Sequence, residues 1–260
     1  MSNEESITGQ KFHDLATELA WNSQEISSKK TDWDSFPIIS YAIFNIFHDA
    51  MIVHQSIKGL VYNGWSSSGA ILVRTLIDLT ISLVAIIRSK NSNLAAFRYF
   101  NSSHRQIRRD HRFSSKLKRE IKDLIRNQIN QLPTQDRQEA YRILQEKDRA
   151  YWFSYEWSSP SKVLEEFASP NVLEEYQRLS SAAHGGFYGL KYFRDRFSDY
   201  DITPRLPLGR SAILVSASSS RKMIELVSIR SQYEKLGLES ICIELRNNLE
   251  NIEGLKNEKL

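Results

Sequence analysis

Apolar residues recur along most of the chain at three- and four-residue spacing, which is the period of an amphipathic α-helix. No segment shows the strict apolar–polar alternation of a half-buried strand. The chain is therefore predicted to be all-α, a multi-helix bundle. Helices are predicted at residues 5–28, Ile38–Tyr62, Gly69–Ile87, Leu94–Arg112, Ser115–Leu132, Gln135–Arg149, Asn171–His184, Phe187–Phe197, Ser211–Tyr233 and Glu239–Leu255, and a short helix is predicted to start at Pro160.

The most apolar of these segments is Gly69–Ile87, and it carries one cation and one anion, Arg74 and Asp78. Residues four apart lie on one face of a helix, so the two charges are expected to touch. A segment that is apolar on nearly all sides is buried on most of them. Only a short turn separates it from Ile38–Tyr62, which predicts a central antiparallel helical hairpin.

Length and composition indicate an ordinary globular protein. The chain has 260 residues, 41% of them apolar and 25% charged, and we expect a single all-helical domain over residues 1–260. The N-terminus is acidic and polar and has no signal-peptide pattern. The single cysteine permits no internal disulfide, which is typical of a reducing compartment. A cytoplasmic location is therefore expected. Residues 70–87 approach the length of a membrane span, but an Arg and an Asp near its centre would each cost about 2.5–3.5 kcal/mol, so no membrane association is expected.

Candidate chemistry is concentrated in the segment from Tyr176 to Gly186, YQRLSSAAHGG. Tyr176, Ser180 and His184 are spaced four apart and share one helix face. A histidine near an arginine, here Arg178, suits phosphodiester cleavage, because the imidazole moves protons and the guanidinium binds phosphate. The alternative is that Arg178 faces solvent and that His184 is a satisfied histidine near a helix end.

This segment, taken with ILVRTLIDL at residues 71–79, resembles the bacterial domain of unknown function family 5677. In that family a helix with an Arg and an acid is followed, about a hundred residues later, by a helix with Tyr, Ser and His. The aromatic residues Tyr155 and Trp157 are also similar, and the resemblance spans residues 38–230. The family pattern often has Glu where this chain has Asp78.

The Arg178 to His184 spacing is similar to the R-x(4–6)-H signature of HEPN ribonucleases, helical proteins that commonly dimerise and cut RNA without metal. The resemblance implies a metal-independent endoribonuclease acting as a toxin or antiviral effector. In it Arg178 would hold the scissile phosphate and His184 would act on the 2′-hydroxyl or the leaving oxygen. The residue after the arginine is often polar in HEPN proteins, and here it is Leu179. Supporting groups would be Tyr176, Ser180, Arg74 and Asp78. The alternative for Arg74 and Asp78 is an ion pair that only fixes the register of the helix bundle.

Positive charge is concentrated between Arg98 and Arg126, where ten Lys or Arg accompany three acids. Such a stretch predicts a footprint on a phosphate backbone, so RNA is the expected partner. The alternative is a solvated outer face. The residues proposed to contact nucleic acid are Arg105, Arg108, Arg109, Arg112, Lys116, Lys118 and Arg119.

Other sites find little support. His48 and His54 are six apart and would need a third ligand from elsewhere, so no metal is expected. No Gly-rich phosphate loop occurs in the sequence, so no cofactor is expected.

The resemblance implies a homodimer, and a partner protein encoded nearby would fit a toxin. Two further functions remain open: a non-enzymatic helical interaction or ligand-sensing module, and an RNA- or DNA-binding protein that does not cleave.

Overall fold

The computed structural model describes residues 3–30, 37–63, 65–109, 112–145, 151–153, 155–168, 170–183 and 210–250. Within these residues the chain is helical apart from short connections, and no strand occurs among them. The all-α prediction is confirmed. The helices are α1 (Asn3–Lys30), α2 (Ile38–Tyr62), α3 (Ser66–Arg88), α4 (Ser92–Arg109), α5 (Ser115–Gln131), α6 (Thr134–Gln145), α7 (Pro160–Phe167), α8 (Pro170–Ala183), α9 (Arg210–Glu234) and α10 (Glu239–Glu250).

Predicted and observed helix ends agree closely for most elements. The helix predicted from Gly69 begins three residues earlier, at Ser66. The predicted helix Phe187–Phe197 lies outside the described residues. The structure divides into two compact units, the first made of Met1–Lys30, Phe47–Ile81 and Leu164–Leu260 and the second of Thr31–Ile46 and Ser82–Val163. The expectation of one domain over residues 1–260 stays a prediction.

In the first unit, α1 packs along α9, and both helices present small side chains at their buried faces. The buried face of α1 includes Ala16, Ala20 and Ser23. Small residues allow close approach of helix backbones, and Gly69 of α3 shows the same feature. A Cβ atom at Gly69 would lie 3.2 Å from side-chain atoms of both Val61 and Val215, so α2, α3 and α9 meet closely at this point.

The α9 helix is buried along much of its length although it is rich in polar residues. Its serines Ser216, Ser218, Ser219 and Ser220 are all at most 4% exposed. Two cations of the same helix, Lys222 and Arg230, are each 1% exposed. Buried polar groups need hydrogen-bond partners, and the Arg230 Nη1 donates to Gln24 Oε1 at 2.6 Å while its Nε donates to Glu234 at 3.0 Å.

In the second unit, α4 packs against α5 and α6. The guanidinium of Arg98 on α4 lies 3.9 Å above the centre of the Tyr155 ring and 3.7 Å from the Glu139 carboxylate. The aromatic segment Tyr151–Trp157 forms turns in its described part, and its Phe153 and Trp157 side chains are buried. Ring contacts such as Tyr99 with Trp152, at 5.5 Å between centroids, attach this segment to α4.

One stretch of the described residues, Ser68–Arg88, is long and apolar enough to cross a bilayer by length and composition alone, and half of its most apolar window is buried inside the protein. The buried positions include Val73, Leu76 and Ile77. The core helix of a soluble protein meets the same criteria of length and composition.

Candidate functional site

The two charges of α3 form an ion pair within the helix. The Arg74 Nη1 lies 3.2 Å from Asp78 Oδ2, as the spacing of four residues predicts. The Arg74 side chain is 23% exposed and the Asp78 side chain 39% exposed. The pair is therefore neither in the dry core nor fully solvated.

The α8 helix brings a tyrosine and a serine to this ion pair. Tyr176 and Ser180 are one turn apart on α8, so both side chains reach the same neighbour. Arg74 Nε donates a hydrogen bond to Ser180 Oγ at 2.9 Å, and the guanidinium lies 5.5 Å from the centre of the Tyr176 ring. We call Arg74, Asp78, Tyr176 and Ser180 the Arg74 cluster.

Electrostatics keep the Tyr176 hydroxyl protonated in this cluster. Burial and the nearby Asp78 carboxylate raise the pKa of Tyr176, against the lowering effect of hydrogen bonds with Arg74 and Ser180. A neutral phenol can donate a hydrogen bond but does not act as a base near neutral pH. The ionised members of the cluster are thus the guanidinium and the carboxylate.

The structure brings together four of the six residues predicted for the catalytic site. The other two are Arg178 and His184. The backbone of Arg178 belongs to α8, between Tyr176 and Ser180, but its side chain lies outside the described residues. His184 also lies outside them.

A fixed, half-buried guanidinium beside a tyrosine and a serine is an arrangement suited to oxyanions. Arginine binds phosphate and carboxylate oxygens through paired N–H groups, and reduced solvent exposure strengthens such contacts.

The family model of DUF5677, a family of unknown function, matches residues 41–201 of this chain. The chain belongs to DUF5677. No curated protein and no solved structure matches it.

The DUF5677 match contains the whole Arg74 cluster together with Arg178 and His184. It also contains the basic stretch, which belongs to the second unit. There Arg112, Lys116 and Arg119 are exposed and Lys118 is partly exposed. Lys116 lies 4.0 Å from Glu120. The side chains of Arg105, Arg108 and Arg109, at the end of α4, lie outside the described residues.

A second polar cluster was not predicted from the sequence. His13 of α1 and His54 of α2 stack with ring centroids 3.7 Å apart and an angle of 2° between the planes. Both are at most 1% exposed. The Nδ1 atom of His54 lies 2.7 Å from the hydroxyl oxygen of Ser219 on α9. We call His13 and His54 the histidine pair. Only His54 falls within the DUF5677 match.

The contacts of the histidine pair define the positions of its protons. His13 Nε2 lies 3.0 Å from the carbonyl oxygen of His54, and His54 Nε2 lies 3.3 Å from the carbonyl oxygen of His13. Because a carbonyl oxygen can only accept, each Nε2 carries a hydrogen, and Ser219 donates to His54 Nδ1. The remaining nitrogen, His13 Nδ1, has no hydrogen-bond partner among the described residues.

This environment keeps both rings neutral. Burial lowers the pKa of His13 to about 4, and the charge of Lys58 adds to the lowering. Burial also lowers the pKa of His54 well below its ordinary value, and His13 contributes in the same direction. The nearby charges, Lys58 and Asp14, form an ion pair of their own. The histidine pair is thus a neutral, enclosed element.

A sequence signal for the histidine pair did exist. His13, Ala16, Ala20 and Ser23 follow helical spacing and are all buried. Of the large apolar residues of α1, Phe12 and Leu15 are only partly buried, whereas Leu19 is buried. Among the residues that the structure describes, no group of three His, Cys, Asp or Glu could hold a metal ion.

Proposed function

We propose that this DUF5677 chain is a HEPN-like, metal-independent endoribonuclease. Arg178 and His184 are its catalytic residues, and the Arg74 cluster provides the supporting groups. The observation that supports this most is the contact of Arg74 with Ser180 at 2.9 Å. It holds a cation against the helix whose backbone includes Arg178, and His184 follows that helix in sequence, which supports a phosphate site at this helix.

In the proposed reaction, His184 accepts the proton of the RNA 2′-hydroxyl. The 2′-oxygen attacks the adjacent phosphorus, and the bond from phosphorus to the 5′-oxygen breaks. The proton taken up by His184 passes through solvent to that oxygen as it leaves, which returns the imidazole to its neutral form. The products are a 2′,3′-cyclic phosphate and a 5′-hydroxyl, and no metal takes part. Arg178 binds the phosphate oxygens, where charge develops in the transition state.

The members of the Arg74 cluster have distinct parts in this proposal. Arg74 adds a second positive charge near the phosphate, and Asp78 and Ser180 hold its guanidinium in one orientation. Tyr176 supplies a neutral hydroxyl and an aromatic face under the guanidinium. A guanidinium that is already oriented loses less entropy on binding phosphate than a mobile one.

The test is cleavage of end-labelled RNA by purified protein in the presence of a chelator. We expect Arg178→Ala and His184→Ala each to lower the rate by about 10²–10⁴-fold, the range for removing a general acid–base or an oxyanion-stabilising group. Cyclic phosphate ends on the products would identify the 2′-hydroxyl as nucleophile.

Matched controls come from exposed residues of the same types. His48 is 58% exposed and Arg142 is 74% exposed, so His48→Ala and Arg142→Ala should leave the rate unchanged. If cleavage persists at the original rate in either Arg178→Ala or His184→Ala, the assignment is wrong. Cleavage that requires an added divalent metal would also contradict it.

A second candidate function is supported by the exposed cations of α5. Lys116 is 88% exposed, and Arg119 is exposed beside it on the same helix. These side chains suit RNA or DNA binding without cleavage. Binding of this kind weakens steeply with salt, with a slope of about 0.7–0.9 per phosphate contact on logarithmic axes. Binding that is intact in Lys116→Ala and insensitive to salt would exclude it.

A third candidate, a ligand-sensing or interaction module without catalysis, is favoured by the balance of charge in the Arg74 cluster. One cation and one anion already neutralise each other there. In that case neither RNA cleavage nor RNA binding would be found, and replacement of Arg74 would affect only stability.

The remaining parts of the proposal concern the biological setting. We propose a cytoplasmic homodimer that acts as a toxin or antiviral effector and is held in check by a protein encoded nearby. Expression of the wild-type chain in a bacterium should arrest growth, and the His184→Ala chain should not. Light scattering of the purified protein measures the oligomeric state, and a monomer at all concentrations would contradict the dimer.

A further inference from the structure

The α8 helix is attached on a second side by a residue next to the Arg74 cluster. Glu175 precedes Tyr176 in α8, and its carboxylate contacts α9. Ser218 Oγ donates a hydrogen bond to Glu175 Oε1 at 2.6 Å, and Lys222 Nζ lies 3.7 Å from Glu175 Oε2. The same turns of α8 are thus bonded to α3 through Ser180 and to α9 through Glu175.

Lys222 is an unusual residue for a helix interior because its side chain is only 1% exposed. A buried ammonium group is strongly unfavourable unless carboxylates and hydrogen bonds compensate it. Two carboxylates do so here: Glu175 of α8, and Glu225 one turn further along α9 at 3.4 Å. Glu225 belongs to α9 itself, so the contact with Glu175 is the one of the two that links α9 to α8.

We infer that Ser218 and Lys222 are positioning residues that hold α8 in register against α9 through Glu175, so that Tyr176 and Ser180 meet Arg74. Removing one partner of a buried ion pair is strongly unfavourable, because it leaves the other charge buried and uncompensated. If α8 slid or rotated on α9, Ser180 would leave Arg74, and the α8 residues assigned to RNA would move with it. The catalytic consequence rests on the proposed function, whereas the attachment of α8 does not.

Two serines of α9 provide a matched pair of variants. Ser218 donates to Glu175 of α8, while Ser220 donates to the Ser216 carbonyl within α9 at 2.7 Å. Both are at most 4% exposed, so Ser218→Ala and Ser220→Ala remove the same atom from equally buried sites. Hydrogen exchange of the α8 amides should become about tenfold faster in Ser218→Ala, the size expected for loss of one coupled contact. Ser220→Ala should leave α8 exchange unchanged.

Two buried cations of α9 provide a stronger pair. Lys222→Met leaves the Glu175 carboxylate without its ammonium partner. Arg230→Met instead removes the contacts with Glu234 of α9 and Gln24 of α1. Lys222→Met should therefore loosen α8 selectively. Adding Glu175→Gln to Lys222→Met removes the stranded charge and should restore much of the α8 protection, a rescue that general destabilisation does not produce.

Cleavage kinetics separate this inference from the proposed function. If the wild-type protein cuts RNA, Ser218→Ala should lower kcat about tenfold or more, because small misplacements of catalytic groups are costly, and Ser220→Ala should leave kcat unchanged. If no variant cuts RNA but α8 exchange responds as described, the proposed function fails and the positioning role stands. Equal α8 exchange in Ser218→Ala and Ser220→Ala, or no rescue by Glu175→Gln, would overturn the inference.

Discussion

The Arg74 cluster and the histidine pair are both polar groups in the first unit, but their environments differ. The Arg74 cluster joins α3 to α8, is partly exposed, and keeps one cation and one anion. The histidine pair joins α1 to α2, with Ser219 of α9 as a third partner, and is almost fully enclosed. The contact of Arg74 with Ser180 spans 106 residues, whereas the two histidines lie 41 residues apart on consecutive helices.

The difference shows how burial decides what a polar cluster can do. At a partly exposed site the charged forms remain solvated, so a guanidinium stays available for an anionic ligand. In an enclosed site the charged form loses its hydration, and imidazoles stay neutral and hydrogen-bonded. The first cluster is suited to binding and the second to holding helices together. Perturbed ionisation alone therefore does not identify a functional site in this protein.

Acidification should separate the two clusters most strongly. In the unfolded chain His13 binds a proton at its ordinary pKa of 6.5, but in the folded protein only at about 4. Between these pH values the unfolded state binds more protons than the folded state. The unfolding free energy contributed through His13 is therefore highest above pH 6.5 and falls as the pH is lowered. His13 alone should remove about 3 kcal/mol of unfolding free energy, and His54 acts in the same direction. Denaturant titrations from pH 7.5 to 4.5 measure this.

The His13→Phe variant isolates this contribution, because phenylalanine keeps a stacked ring but does not titrate. Its unfolding free energy should depend less on pH than that of the wild type. His48→Ala, which changes an exposed histidine of α2, should retain the wild-type dependence. Identical pH dependence in His13→Phe and wild type would show that the histidine pair is not the acid-sensitive element.

Removal of the Arg74 guanidinium should have a smaller effect on stability. Arg74→Met takes away the donor to Ser180, the partner of Asp78 and the cation above Tyr176. Because the pair is partly exposed, we expect a loss of about 1–2 kcal/mol in thermal or denaturant unfolding. Arg126→Met is the control, since Arg126 and its partner Asp123 are both about 60% exposed. A loss in Arg74→Met no larger than in the control would mean that the cluster contributes no specific contact.

A glycine on the helix of His54 should give a stabilising change outside both clusters. Gly59 lies within α2, and a Cβ atom added there would meet nothing within 4 Å. Gly59→Ala should therefore raise the unfolding free energy by about 0.5–1 kcal/mol, because alanine favours the helix. The pH dependence should be unchanged, which separates the histidine pair from α2 as a whole. A destabilised Gly59→Ala protein would contradict this account of the site.

Salt should have the smallest effect, and only on the Arg74 cluster. Ions screen partly exposed charge pairs, so 1 M NaCl should reduce the coupling of Arg74 and Asp78 by a few tenths of a kcal/mol. A double-mutant cycle with Arg74→Met and Asp78→Asn at low and high salt measures it. The contribution of neutral His13 at pH 7.5 should not change. A coupling that is equal at both salt concentrations would show that the pair is more protected from solvent than its exposure indicates.

Local features of this structure were predictable from helix periodicity, whereas the grouping of Arg74 and Asp78 with Tyr176 and Ser180 was expected only from the family resemblance. The Arg74–Asp78 pair follows from helix geometry over four residues, whereas the contact with Ser180 spans 106 residues and no periodicity predicts it. His13 was missed because most of its buried neighbours along α1 are small, namely Ala16, Ala20 and Ser23, with Leu19 as the large apolar exception.

The pairing of α1 with α9 has a consequence for synthesis of the chain. Gln24 and Arg230, which bond to each other, are 206 residues apart, so α1 leaves the ribosome long before its partner exists. At translation rates of about 5–20 residues per second, the inner face of α1 waits roughly 10–40 s for its partner. That face combines Ala16, Ala20, Ser23 and His13 with Leu19, so it exposes less apolar area during that interval than a face made only of leucine would.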